Sequence, residues 1–204
     1  MDVKHISACV PAHGHPIIPF PASASGCQGT SLMDVLMTLT IASLLLGIGI
    51  PGFQSYLASS QLVSSTNLLS GSLALARSEA VKRNRHVVIC KSRDQQNCTT
   101  AGSWRQGWII FEDRLPNRER DENEPLIFAK SRLPDALRLD YAAFRSSNFI
   151  AFRATGITKT NGTFTLCYHQ DAHSARALIL SKSGRVRFSR TRADGRPLRC
   201  PEEE

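Results

Sequence analysis

The stretch SLMDVLMTLTIASLLLGIGI, from Ser31 to Ile50, carries one charge, Asp34, close to its N-terminal end. A helix rises about 1.5 Å per residue, so about twenty apolar residues cover the roughly 30 Å of a bilayer's hydrocarbon. The run is too long for the core of a cleaved secretory signal. Ser23 to Gln28 before it carry no positive charge, and no A-x-A-like site closes it. It reads as a membrane helix.

Working outward, Pro51-Gly52-Phe53 follows, and then a different kind of helical pattern. Phe53, Leu57, Leu68, Leu69, Leu73, Ala76 and Ala80 recur at spacings near three and four, with Ser, Gln, Asn, Arg and Glu between them. This amphipathic stretch extends the membrane helix to about Arg83, with a kink expected at Pro51 because proline removes a backbone hydrogen bond. An anchor that becomes one-sided in this way is the spine of a soluble domain.

Beyond Arg83 the texture changes to short β-branched and aromatic runs separated by turn residues. Val87 to Lys91, Gly107 to Glu112, Pro125 to Ala129, Ala136 to Tyr141, Asn148 to Phe152, Gly162 to His169, Arg176 to Ser181 and Arg185 to Ser189 are predicted strands. Asn161-Gly162 and Lys182-Ser183-Gly184 supply turn glycines. One helix followed by antiparallel strands is an α+β head, its sheet wrapped on the helix.

The 204 residues carry a formal charge of +8. A surplus of that size points to nucleic acid, anionic lipid or acidic protein surfaces. It is uneven: Lys182, Arg185, Arg187, Arg190, Arg192 and Arg196 stand between Arg176 and Arg199 against the single acid Asp194. Glu119, Asp121, Glu122 and Glu124 form an acidic cluster in the middle, read as a solvated loop. Six cysteines occur, at 9, 27, 90, 98, 167 and 200, with no C-x-x-C pair. Removal of the residues before Gly29 leaves four, an even number that favours disulfides in an exported domain. Cys90 with Cys98 and Cys167 with Cys200 is the simplest of three possible connectivities.

The segment Gly29 to Leu36, GTSLMDVL, looks like a prepilin processing site, and Pro51 falls where type IV pilins carry their helix-kinking proline. LALARSEAVKRNRHVVIC (Leu73 to Cys90), GWIIFED (Gly107 to Asp113), GTFTLC (Gly162 to Cys167) and SGRVRFS (Ser183 to Ser189) resemble the FimT/GspH group. That group comprises minor pilins of type IV pili and minor pseudopilins of type II secretion. The resemblance covers Gly29 to Cys200 and implies a type IV pilin-like fold. It divides the chain into a leader (1–29), a membrane-spanning part (30–56) and a periplasmic head (57–204). It also implies a prepilin peptidase that cuts after Gly29 and methylates Thr30. The inner membrane and other major and minor pilins are the further partners implied. Thr30 stands where the family usually has phenylalanine, and Asp34 where it has glutamate. An acid in hydrocarbon costs several kcal/mol unless paired. The resemblance gives Asp34 the methylated α-amino group of a neighbouring subunit as that pair, setting register in the filament.

Catalytic and metal signatures are absent or incomplete. Cys167, His169 and His173 are too few ligands for a metal, and Asp113, Asn117, Asp121, Asn123 and Glu124 lack calcium-loop spacing. No GxSxG, HExxH or phosphate-cradling motif occurs. No enzyme activity and no cofactor are expected. Trp104 and Trp108 are read as core.

What remains is Gly184-Arg185-Val186-Arg187. Alternate strand residues share a face, so Arg185 and Arg187 project together while Val186 turns to the core. Two neighbouring guanidinium forks suit phosphate oxygens. Gly184 is expected to turn the chain and keep the approach open, and Lys182, Arg190 and Arg192 to widen the basic surface. The segment resembles a Gly-Arg-x-Arg element by which FimT proteins hold DNA in natural transformation. The plain alternative is basic decoration of a strand end on a structural minor pilin or GspH-like pseudopilin.

Overall fold

The computed structural model describes residues 30–169 and 171–200. Cys9, Cys27 and the cleavage position Gly29 lie outside the described residues, as do the side chains of residues 48–52, 54 and 55, Pro51 among them. The chain divides into two compact units, Met1–Gly47 and Ile48–Glu204.

Helix α1 spans Leu32–Arg83. At its start Ser31 Oγ accepts the Met33 N–H (3.3 Å), and Asp34 Oδ2 accepts the N–H of Ser31 (3.2 Å). This is a capping box with aspartate in the place of glutamate, and its carboxylate lies in the helix's positive first turn. Leu32, Met33, Leu36, Met37, Leu39 and Leu44 are exposed. Among the described residues no helix is long and apolar enough to cross a membrane, the described side chains of the Ser31–Ile50 run ending at Gly47.

In the second unit α1 presents Leu62, Leu69, Leu73, Ala76 and Ala80 to the core. Ser65, Thr66 and Ser72 are buried between them. Thr66 and Ser72 satisfy their hydroxyls on the carbonyls of Leu62 and Leu68 one turn back. These small polar residues let the helix approach the strands closely. Phe53 and Leu57, expected on the same stripe, are exposed.

The strands are β1 (His86–Lys91), β2 (Trp108–Asp113), β3 (Leu126–Lys130), β4 (Leu137–Ala143), β5 (Phe149–Phe152), β6 (Gly162–Tyr168), β7 (Asp171–Leu180) and β8 (Val186–Ser189). They form two sheets rather than one, in the orders β3-β2-β1-β5 and β4-β6-β7-β8, every pair antiparallel. Val87, Ile89, Trp108 and Ile110 from the first sheet meet Leu139, Phe164, Leu166 and Leu178 from the second in a single core with α1. Trp104, in a 3-10 turn over Trp104–Gln106, joins this core. Its ring lies edge-on to Phe164 at 5.1 Å, and its indole N–H donates to the Ser147 carbonyl at 2.7 Å. Arg83, in the last turn of α1, bonds Glu79 (2.6 Å) and Glu112 of β2 (3.1 Å), and Arg114 completes the network at 3.0 Å from Glu112.

The acidic middle segment is not wholly a solvated loop. Glu124 is buried and accepts the backbone N–H groups of Arg114 (2.6 Å) and Asp121 (3.1 Å), so it organises the loop from within. Glu119 and Glu122 are exposed.

Candidate functional site

Strands β7 and β8 are joined by a tight turn. The Ser181 N–H donates to the Arg185 carbonyl (3.0 Å), and the Gly184 N–H to the Ser181 carbonyl (2.9 Å). Gly184 has φ +75°, the left-handed region where a side chain strains the backbone. It is also buried, and a Cβ there would lie 2.2 Å from the Gly156 carbonyl oxygen. This corrects the expectation that Gly184 keeps an approach open. It faces inward, and its absent side chain lets the turn pack on the loop after β5. Arg77 of α1 holds that loop through a 3.1 Å bond from Nε to the Gly156 carbonyl. The Thr158 N–H donates to the Lys182 carbonyl (2.9 Å), so helix, first sheet and second sheet meet at this turn.

Pairing with β7 sets the faces of β8. Val186 lies opposite Leu180 and packs on the core, whereas Arg187 lies opposite Ile179 on the other face. Arg185 and Arg187 are both exposed on either side of half-buried Val186. The strand ends the sheet order, so one of its edges pairs with no strand among the described residues. Phe188, on the side of Val186, is 58% exposed and lines a small hollow with Arg176 and Arg190.

The tail beyond β8 turns back on itself through Asp194-Gly195, the Arg192 N–H donating to the Arg196 carbonyl (2.9 Å). It is anchored twice. Leu198 packs against Cys167, Ala175 and Ala177 on the outer face of the second sheet. Cys200 is bonded to Cys167 (2.06 Å), while Cys90 is bonded to Cys98 (2.05 Å). Arg190 and Arg192 are therefore held near β8 rather than trailing from it.

Pairing separates the cations of this region. Arg196 is taken up by Asp194 at 2.6 Å. Lys182, Arg185, Arg187, Arg190 and Arg192 are exposed and form no ion pair among the described residues. Elsewhere Arg105 and Arg132 share Asp135 at 2.8 Å each. Cys167 is consumed by its disulfide, and among the described residues no group of His, Cys, Asp and Glu could hold a metal. A second set of cations that form no ion pair among the described residues, Arg118, Arg145, Arg153 and Lys159, lines a cleft beside the first sheet. It escapes a linear reading because its members come from three separate loops.

A long helix precedes eight antiparallel strands in this chain, and residues 65–184 match the family model described as type II transport protein GspH. The chain belongs to the GspH family. Members of this pilin-like family are structural components rather than enzymes, and the chain's role is that of a minor pilin or pseudopilin assembling with other pilins at the cell envelope. The crystal structure of the type IV minor pilin FimU of Pseudomonas aeruginosa shares the GspH-family fold at 23% identity and a TM-score of 0.50, covering 64% of this chain and 89% of that one. The minor pseudopilin EpsH of the Vibrio cholerae type 2 secretion system aligns at 12% identity and a TM-score of 0.46, over 63% of this chain and 96% of its own. No curated protein sequence matches.

Proposed function

We propose that this minor pilin binds DNA without sequence preference, through phosphates held by Arg185 and Arg187 with Lys182, Arg190 and Arg192 around them, and supports DNA uptake in natural transformation. The observation that carries the reading is the set of five exposed cations with no acid paired to them among the described residues, on and around an edge strand. Filament assembly alone does not require such a set. Phosphate contacts give affinity without reading bases, and a strand presenting two guanidinium forks is suited to them. Gly184 serves by setting the turn rather than by touching DNA.

In the same reading, prepilin peptidase cuts after Gly29 and methylates Thr30, and the first half of α1 rests in the inner membrane with the head in the periplasm. The exposed apolar side chains from Leu32 onward support a membrane or filament environment for that half. Asp34 would then serve twice, capping its own helix and attracting a neighbour's terminal amine.

The test is fluorescence anisotropy of labelled duplex DNA with the full chain in detergent across a salt series. Binding in the micromolar range is expected, weakening as salt rises with a log–log slope of roughly −0.9 per phosphate neutralised. Replacing Arg185 and Arg187 with glutamine should weaken it and flatten the slope by up to about two units. Replacing Arg105 and Arg132, both already paired to Asp135, should change little. Equal losses from the two double variants, or no binding by the wild type, leave a purely structural minor pilin or pseudopilin.

A further inference from the structure

The second set of unpaired cations borders a cleft of about 660 Å³ beside the first sheet, within the roughly 300–1,000 Å³ of small-molecule sites. Arg118 comes from the β2–β3 loop, Arg145 from the β4–β5 loop, and Arg153 and Lys159 from the β5–β6 loop. None of the four forms an ion pair among the described residues. Four like charges around one opening repel one another, and an anion entering it relieves that repulsion.

Two further features narrow the anion. Asp113 lines the cleft and is only 2% exposed. Its Oδ2 accepts the Arg118 N–H at 3.3 Å, while its Oδ1 has no hydrogen-bond partner among the described residues. A buried acceptor without a donor is costly, and it favours a ligand that brings an N–H. Phe149 supplies a flat apolar wall, over which the Arg118 guanidinium lies 5.4 Å from the ring centroid. Arg118 is itself held at φ +69°, an unusual conformation for a residue with a side chain. Anion-binding cations, planar groups suited to stacking and a buried carboxylate oxygen thus converge on one space of nucleotide size.

We infer that this cleft binds one unpaired nucleotide, its phosphate among Arg145, Arg153 and Lys159, its base on the Arg118 guanidinium that covers Phe149, and its amino N–H donated to Asp113 Oδ1. Stacking on aromatic and guanidinium planes tolerates any base. The carboxylate oxygen does not, because cytosine presents an amino group whereas thymine's N3–H lies between two carbonyl oxygens that the carboxylate repels. The site uses none of the residues proposed to hold duplex DNA, so either reading can fail alone. The nucleotide can be free or part of a single strand.

The experiment is anisotropy with the full chain in detergent, using labelled oligo(dC) and oligo(dT) of equal length, with dCMP as competitor. Oligo(dC) is expected to bind at least about tenfold tighter than oligo(dT), the order of one hydrogen bond to a charged group. Asp113→Asn should abolish that preference. Replacing Arg145 and Lys159 with glutamine, both exposed and so tolerant of change, should weaken both oligonucleotides severalfold. Competition by dCMP assigns a free nucleotide as sufficient, and binding of oligo(dC) that dCMP does not displace assigns the strand. Equal affinity for the two oligonucleotides, or no loss in the Arg145/Lys159 variant, overturns the inference. The Arg185/Arg187 variant should spare the oligo(dC) preference even where it lowers duplex affinity.

Discussion

Replacing Gly184 with alanine tests whether the turn before β8 is fixed by packing as well as by backbone conformation. Two costs are separable. At φ +75° an L-residue loses about 1–2 kcal/mol relative to the right-handed regions. The new Cβ would also lie 2.2 Å from the Gly156 carbonyl oxygen, with Arg77 Nε at 3.2 Å. Backbone cannot yield as a flexible side chain does, so the loop after β5 must shift and the Arg77 bond lengthen, at about 1–3 kcal/mol more. The total is about 2–5 kcal/mol. Gly195 provides the control, because its φ is +81° but a Cβ there meets nothing within 4 Å. Gly195→Ala should cost only the conformational part. At about 2–4 °C per kcal/mol for a head of this size, near-UV circular dichroism melts should fall by roughly 4–20 °C for Gly184→Ala and 2–8 °C for Gly195→Ala. Equal shifts in the two variants would refute the packing argument.

Three further outcomes are expected. Removing the Cys167–Cys200 bridge by double serine substitution should cost about 3.7 kcal/mol against about 2.5 kcal/mol for Cys90–Cys98, because the sequence separations are 33 and 8; urea unfolding of the two variants checks the order. Burial pushes the Glu112 carboxyl up, but Arg114 and Arg83 outweigh it and hold the carboxyl below its ordinary value. Its contribution is then complete above the unfolded value near 4.3 and lost as pH falls through the folded one. Glu112→Gln should cost about 1 kcal/mol at pH 7 and almost nothing at pH 2, and parallel melting curves at the two pH values would contradict this. Asp34→Ala, which also removes the acceptor for the Ser31 N–H, should leave the protein in membranes yet absent from sheared filaments, and wild-type recovery in the sheared fraction would exclude the assembly role.

Much of the fold was legible because its signals are local. The helix ends at Arg83 as the periodicity implies, and β1, β2, β3, β5, β6 and β8 lie within a residue of the predicted runs, where short β-branched and aromatic stretches bounded by turn residues mark them. Strand β7 begins five residues early, at Asp171 rather than Arg176, since Asp-Ala-His-Ser carries no apolar alternation and is extended by backbone pairing with β6. The division into two sheets depends on which distant strands pair, β1 with β5 and β4 with β6, and hydropathy does not encode that choice. The arginines of β8 could be found from their clustering. The cleft could not, because Arg118 sits in sequence among acids and its neighbours in space lie some thirty to forty residues on. Gly184 was visible as a turn former, but its second duty arises from the carbonyl of Gly156, a contact absent from the linear order.

Strand β8 closes one side of its sheet, so among the described residues its outer backbone groups form an unpaired row. Such a row is a template for another chain's strand, and proteins guard it with shortness, charge or cover. Here the strand has four residues, and Arg187 lies within it with Arg185 just before it and Arg190 just after. The same guanidinium groups that would receive a polyanion therefore also keep neighbouring heads from zipping together edge to edge, a serious hazard where many copies are packed side by side. Neutral variants of Arg185 and Arg187 lose that protection along with the charge, so their preparations should be more prone to self-association. Glutamate at the same two positions keeps the edge guarded while repelling phosphate, and separates solubility from affinity where glutamine confounds them.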